Sequence, residues 1–448
     1  MQGGRGKLEP RDDVSRDILK AYFLRRLLLI PVTLIGITLL VYAIVRLAPG
    51  GPVDQALSRL MGGEQVKRTA AETGLSLTPA QVVEIEERFD RDKGIFRGYL
   101  EWLGVLPRDL EKIGRELPEG GNEVSIPVPG MVHEVRGVLH GDGRLEMVAP
   151  DGADLTGWKL RVMSPERQMK SWEKWVPVAA PKTRPMPRIV LFKPGFDGLL
   201  QGSLGRSSKY QQPVWDMILS RMPVSMTFGG VAMVLIYAVC LPLGILNAIK
   251  HRTWIDNLSS AAVFSAYAVP GYALGALLVV YLAAKYRLFP LGGFVGDDFD
   301  TLALADKMRD LFHHMVLPII SYIISSFAVM TMMMKNNLMD HLAADYVRTA
   351  IAKGTGFRTA VFRHAFRNSL IPIATTFGGN LSIFVSGSVL IEKVFDINGF
   401  GLLTFSAILE YDEPVIMGVL LVSAALMLLG NVISDLCVAL VDPRVSYK

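Results

Sequence analysis

The sequence predicts an all-α integral membrane protein of six transmembrane helices, with a small β-rich domain held outside the bilayer. Three observations predict it. Half of the 448 residues are hydrophobic, mean hydropathy is +0.34 and only 20% of residues are charged, which is a membrane composition. Six apolar runs of about 20 residues, long enough to cross a bilayer, recur along the chain. Between the first two runs lies a stretch, Pro107 to Leu200, of quite different composition.

The runs fall near 27–47, 224–248, 259–283, 315–334, 370–391 and 414–440. Residues 1–26 precede the first as a polar tail. That first run holds thirteen Leu, Ile or Val residues between Leu27 and Val45. At about −0.3 to −0.6 kcal/mol each they favour insertion by roughly 4 to 8 kcal/mol, less what Pro31 and Gly36 subtract. Arg25 and Arg26 before it would also suit a signal peptide, but the run is too long for one. No small-residue cleavage site follows at "RLAPGGPVD", so it reads as a retained anchor.

Lys and Arg in the short segments set the orientation. Residues 1–26, 249–258, 335–369 and 441–448 carry seven, two, six and two; the alternate segments 284–313 and 393–413 carry four and one. Both termini are therefore expected in the cytoplasm, with residues 48–223 outside and 335–369 inside.

In the outside loop, residues 48–106 read as helical. "TPAQVVEIEERFDRD" opens on Thr78 as N-cap with Pro79 at the first helical position. Residues 107–200 hold eleven of the 25 prolines and three of the six tryptophans. Here Trp158, Leu160 and Val162 alternate with Lys159 and Arg161, and Leu145 and Met147 with Arg144 and Glu146, the period of half-buried strands. "HGDGRL" at His140 to Leu145 is a hairpin turn signal. A separate β-rich module is expected there.

Motifs for covalent or metal chemistry fail on spacing. "GGRGKLE" at Gly3 to Glu9 lacks the glycine spacing and the Ser or Thr of a phosphate loop. "HEVRGVLH" puts Gly137 where a zinc-protease helix needs its second histidine. His313 and His314 sit at a membrane boundary and suit interfacial polar residues. The run "MTMMMKNNLM" offers thioethers that a soft metal would accept, although adaptable packing explains it as well. Cys240 and Cys437 both lie in apolar runs without a partner at metal or redox spacing. A net charge of +5 is scattered beside the spans and not gathered with aromatics, so nucleic acid is not an expected partner. Arg46, Glu392, Lys393 and Asp435 lie at span ends and none at mid-bilayer, which leaves no proton relay to support a secondary carrier.

One cytoplasmic stretch stands apart, "DYVRTAIAKGTGFRTAVFRHAFRNSLIP" from Asp345 to Pro372, with five Lys or Arg against one acid. Leu342 to Lys353 is helix-forming, Gly354 to Gly356 break it, and Phe357 to Arg367 form a second helix entering the fifth span. Such an elbow, with Ala350, Ala352 and Gly354 on its surface, suits being gripped by another protein; a solvated positive-inside loop would have much the same composition.

This stretch resembles the coupling segment of permease subunits of binding-protein-dependent ABC importers, of the peptide and nickel type. "RRLLLIPVTLIGITLLVYAIVRLAPGGPVD", "SLGRSSKYQQPVWDMILSRMPVSMTFG", "GSVLIEKVFDINGFGLL" and "LVDPRVSYK" resemble further parts of that family in the same order, over residues 20–106 and 199–448. "FPLGGFVGDDFD" is similar to the oligopeptide branch that includes microcin C permeases. The stretch 107–200 departs as an insert.

The resemblance implies a non-enzymatic inner-membrane subunit, with residues 201–448 as permease core and 335–369 as coupling loop. Implied partners are a second homologous permease, two ATPase subunits that bind the ATP and magnesium, and an extracytoplasmic solute-binding protein. Tyr346, Val347, Thr349, Ala350, Ala352, Lys353 and Gly354 would form the ATPase contact. Asn380, Ser386 and Ser388 in the fifth span are candidates for the translocation path, or equally for helix packing. The solute would be a peptide or peptide-like; nickel or an oligosaccharide is the alternative. Readings from other classes are a membrane-anchored sensor or scaffold acting through the β-rich insert, and a self-contained channel or carrier.

Overall fold

The computed structural model describes residues 11–60, 77–128, 134–149, 155–177, 180–181 and 183–441. The "GGRGKLE" stretch, His133 and residues 442–448 lie outside them. The chain divides into two compact units. One comprises residues 1–38, 216–409 and 418–448, the other 39–215 and 410–417.

All six predicted apolar runs coincide with helical segments, but the segments differ in continuity. Arg11–Leu47, Val214–Ile249 and Glu413–Val441 are unbroken and long and apolar enough to cross a membrane. The third run, expected as one span, is two helices, Trp254–Tyr267 and Gly271–Lys285, bent by 85°. Pro270 supplies the reason. It lacks an N–H for the ladder and disfavours helical backbone at Val269. The fourth run extends beyond its expected ends as Leu304–Ala343 and is bent by 48° between Ile324 and Ser326. The fifth, expected to reach residue 391, is the sixteen-residue helix Ile371–Ser386, interrupted after it at Gly387 and Ser388.

In the first unit the long helices share a core containing Phe228, Ile236, Met334, Leu338, Phe395 and Ile397. Met334 comes from the methionine run and is fully buried in that core, so there it fills space between helices. Among the described residues no group of three or more His, Cys, Asp or Glu is arranged to hold a metal.

Among the described residues the second unit contains the helices Pro52–Leu60, Pro79–Arg88, Ile95–Leu103 and Pro165–Trp175 together with six strands. Thr78 caps Pro79–Arg88 as a capping box, its hydroxyl accepting from Gln81 N while Gln81 accepts from Thr78 N. Strands β1 (Arg108–Glu116), β6 (Arg188–Gly195) and β5 (Lys159–Met163) form one antiparallel sheet in the order β1-β6-β5. Strands β2 (Glu123–Ile126), β3 (Val135–Leu139) and β4 (Leu145–Val148) form another. Ile126, Val135, Ile189 and Leu191 of these strands, with Trp158 just before β5, make one small core.

The β3–β4 hairpin turns through Gly143 at φ 82°, with Arg144 N bonded to Asp142. The alternation of β5 is kept at Leu160 and lost at Val162, which is exposed. The strand is an edge of its sheet and leaves that position uncovered, while Arg161 on the other face pairs with Glu87 and Asp109 at 3.0 and 2.9 Å. Glu86 is buried; burial raises its pKa, but Lys174 at 2.7 Å and Ser171 at 2.6 Å outweigh that and hold it below the ordinary glutamate value.

Candidate functional site

The elbow begins where Ala344 adopts extended backbone (φ −72°, ψ 146°) and ends the helix Leu304–Ala343. The turn Asp345–Ala352 follows, with Asp345 at its positive N-terminal end. It stops in a Schellman motif: Thr355 N bonds Ala350 O at 3.1 Å, Gly354 N bonds Ile351 O at 2.9 Å, and Gly354 takes φ 91°. A residue other than glycine would meet no atom there but would be strained in the left-handed region. Gly356 then resumes extended backbone and Phe357–Thr359 opens the return. This continues through a π-helical stretch, Ala360–Ala365, into Phe366–Ser369.

The seven expected contact residues do not share one environment. Val347 is fully buried in the core that contains Ala360, Val361, Ala365 and Leu338, so its side chain anchors the elbow to its own unit. Tyr346 is exposed, and its hydroxyl is held at 3.0 Å from His341 Nδ1 while accepting from Asn368 Nδ2 at 3.2 Å. Thr349, Ala352, Lys353 and Gly354 are exposed and Ala350 is half-buried. Ile351, Phe357 and Phe362, which the motif reading did not single out, are also exposed. The face offered to solvent is thus small and apolar residues edged by Arg348, Lys353, Arg358 and Arg363.

The three candidate path residues are likewise separated by their bonds. Asn380 Nδ2 reaches Tyr237 OH at 3.4 Å, Ser386 Oγ bonds back to Ser382 O at 2.8 Å, and Ser388 N donates to Tyr322 OH at 2.8 Å. Ser386 is therefore occupied within its own helix. Asn380 ties its helix to Val214–Ile249, whereas Ser388, expected within the fifth span, lies beyond that helix and reaches Tyr322 through its backbone N–H.

Glu392, read from the sequence as a span-end acid, is fully buried. Its Oε1 accepts from Ser225 Oγ at 2.7 Å and Tyr322 OH at 3.4 Å, and its Oε2 accepts from Leu402 N at 2.9 Å; Ser225 Oγ in turn accepts from Phe400 N at 2.8 Å. Added Cβ atoms at Gly387 and Gly399 would collide with the carboxyl group, so the loop closes on it. Glu392→Gln would direct an amide N–H₂ at one of these donors. We expect it to cost about 1 to 3 kcal/mol, read as a lower thermal midpoint of the detergent-purified protein; an unchanged midpoint would mean that the network carries no stability.

Two further polar contacts escaped the sequence reading because their partners lie far apart in the chain. Lys335 meets Asp256, which also accepts from Arg252 N at 3.0 Å and Ser260 Oγ at 3.1 Å. Helices Ile371–Ser386 and Glu413–Val441 come together through small residues: Gly378 N donates to Ser434 Oγ at 2.7 Å, and Ser382 Oγ donates to Leu426 O at 2.7 Å. A Cβ at Gly378 would strike the Gly430 carbonyl, and one at Gly430 would strike Ser382 and the Gly378 carbonyl. The signal was present as two small-xxx-small pairs, Gly378/Ser382 and Gly430/Ser434.

Apolar helices, three of them among the described residues unbroken and long enough to cross a membrane, with this elbow ahead of Ile371–Ser386, define an integral membrane protein. Residues 240–447 match the family described as binding-protein-dependent transport system inner membrane component. The chain is 30% identical over 453 residues to inner membrane ABC transporter permease protein YejB of Escherichia coli O157:H7, covering 96% of this chain and 99% of that protein. It is 29% identical over 432 residues to peptidoglycan transport system permease protein YejB of Agrobacterium fabrum, covering 96% and 98%. To oligopeptide transport system permease protein AppB of Bacillus subtilis it is 32% identical over 262 residues, 58% of this chain and 81% of that protein. The chain belongs to the family of inner-membrane permease components of binding-protein-dependent ABC transport systems. Within it the chain is a transport component and not an enzyme. The partial match to AppB leaves room for the extra N-terminal region that contains the insert.

Proposed function

We propose that this permease imports peptides or peptide-like solutes, pairing with a second homologous permease and two ATPase subunits. The observation that carries the coupling role is the elbow: a glycine-capped turn, fixed to the bundle by buried Val347, that turns an apolar, basic-edged face to solvent. Tyr346, Thr349, Ala350, Ala352, Lys353 and Gly354 form the ATPase contact, and Val347 holds it in register. ATP and magnesium are bound by the ATPases. Their opening and closing moves the elbow as a lever and switches the bundle between its two access states.

The solute class is supported by relatives named for oligopeptide, dipeptide and peptidoglycan transport. The excess of Lys and Arg in residues 1–26 and 335–369 supports cytoplasmic termini, with 48–223 facing the binding protein. The test is uptake into proteoliposomes holding the assembled complex, with binding protein outside and ATP inside. Labelled oligopeptides and muropeptides are expected to accumulate and nickel is not. ATP hydrolysis stimulated by the binding protein, with no peptide of either kind accumulating, would overturn the solute assignment.

A further inference from the structure

We infer that the helix Ile95–Leu103 and the loops beside its C-terminal end form an interfacial anchor. They dip into the bilayer leaflet in which the first transmembrane helix ends. The surface lies wholly within the unit that contains residues 39–215.

The depth follows from the helix Arg11–Leu47. Its apolar run 27–47 is about 31 Å long at 1.5 Å per residue, close to the thickness of the hydrocarbon core, so Leu47 marks the edge of the leaflet. Ile95–Leu103 packs beside the last turns before that edge. Tyr99 and Leu103 share a cluster with Tyr42, and Ile95, Leu100 and Trp102 join it beside Leu39 and Val41. Gly98 lies where the two helices approach, and a Cβ there would meet Tyr42 Oη. Leu39 lies eight residues, about 12 Å, below Leu47. The short helix therefore runs beside residues 39 to 42, about 8 to 12 Å inside that edge, within the hydrocarbon of the same leaflet.

The chemistry of the surface matches that depth. Half-buried Trp102 stacks on Tyr99 at 5.8 Å and supplies the kind of ring found at a membrane boundary. Tyr42 and Tyr99 are buried beneath it, and Arg46, 4.7 Å over Tyr42, has a buried side chain paired with Glu413 at 3.3 Å. Around it Phe96, Val105, Leu106, Phe196 and Leu200 are 69, 49, 36, 59 and 69% exposed. The last four flank one junction, where Gln201 Nε2 holds Gly104 O at 3.2 Å and Gln201 Oε1 accepts from Gly198 N at 3.0 Å. Leu40, Ile44 and Leu47 on the spanning helix are exposed as well. The exposed residues thus lie on and beside a helix that packs along the exposed spanning helix, and acyl chains are the occupant that covers both.

Single cysteines placed at Phe96, Leu200, Leu40 or Glu119 in a chain carrying Cys240→Ala and Cys437→Ala can be spin-labelled in the full complex, reconstituted in phosphatidylethanolamine and phosphatidylglycerol vesicles. Labels at 96 and 200 are expected to be relaxed more by lipid-soluble oxygen than by a water-soluble nickel chelate, as at 40, with the order reversed at exposed Glu119. A nickel-dominated response at 96 and 200 would place the patch in water. Shielding from both reagents would place a protein partner on it. Either result overturns the anchor.

Discussion

Ala350→Glu is expected to remove the ATPase subunits from the complex and to abolish transport, while the chain still inserts and still recovers its partner permease. Ala350 is half-buried on the elbow and lies in regular helix, so glutamate there adds a charge at the proposed contact without disturbing the backbone. Losing the centre of an interface costs about 2 to 4 kcal/mol, which weakens docking roughly 30- to 700-fold. Gly354→Glu should do the same, with backbone strain added. Gly354→Ala separates the two effects: its Cβ meets nothing, and the left-handed conformation alone costs about 1 to 2 kcal/mol. The measurement is a pull-down of the tagged chain from solubilised membranes together with peptide uptake. Full ATPase recovery with Ala350→Glu would show that the elbow is not the docking site and would return attention to the β-rich segment as the active part of a sensor or scaffold.

Gly430→Val is expected to be the most damaging single change inside the bundle. Besides Ser382 Oγ it would strike the carbonyl of Gly378, which cannot rotate aside as a side chain can. The helices must then separate, breaking the Ser382 to Leu426 and Gly378 to Ser434 bonds. Overpacking against backbone belongs at the upper end of the usual range, about 3 kcal/mol. Gly379→Ala, one position from Gly378, is the control, because its Cβ meets nothing within 4 Å; a helical Gly to Ala change there should be neutral or gain up to about 1 kcal/mol. Thermal midpoints of the purified variants decide it. Equal midpoints for Gly430→Val and Gly379→Ala would mean that the two helices do not approach this closely.

Both predictions draw on features of different legibility. The elbow was readable because its cause is local: two glycines around Thr355, a helix former on each side, and a basic excess between two apolar runs. That Val347 turns inward was less readable, since one buried position in a short amphipathic turn depends on where Ala360 and Val361 return. The cap at Thr78 and the hairpin at Gly143 were legible for the same local reason. The 85° bend at Pro270 had its signal in the residue, but proline is tolerated within other spans here, as at Pro31 and Pro242, and residue type alone does not distinguish a kink from a break.

By itself the sequence determined which segments are apolar, how many there are, where the polar insert lies and where the elbow turns. Those properties follow from residue type and spacing along a few turns of chain. Only the tertiary structure decided which polar groups meet: Glu392 with Ser225 across 167 positions, Lys335 with Asp256 across 79, and Ser382 with Leu426 across 44. Such partners are set by helix crossings. A buried polar group needs a bond but does not encode which distant residue will supply it.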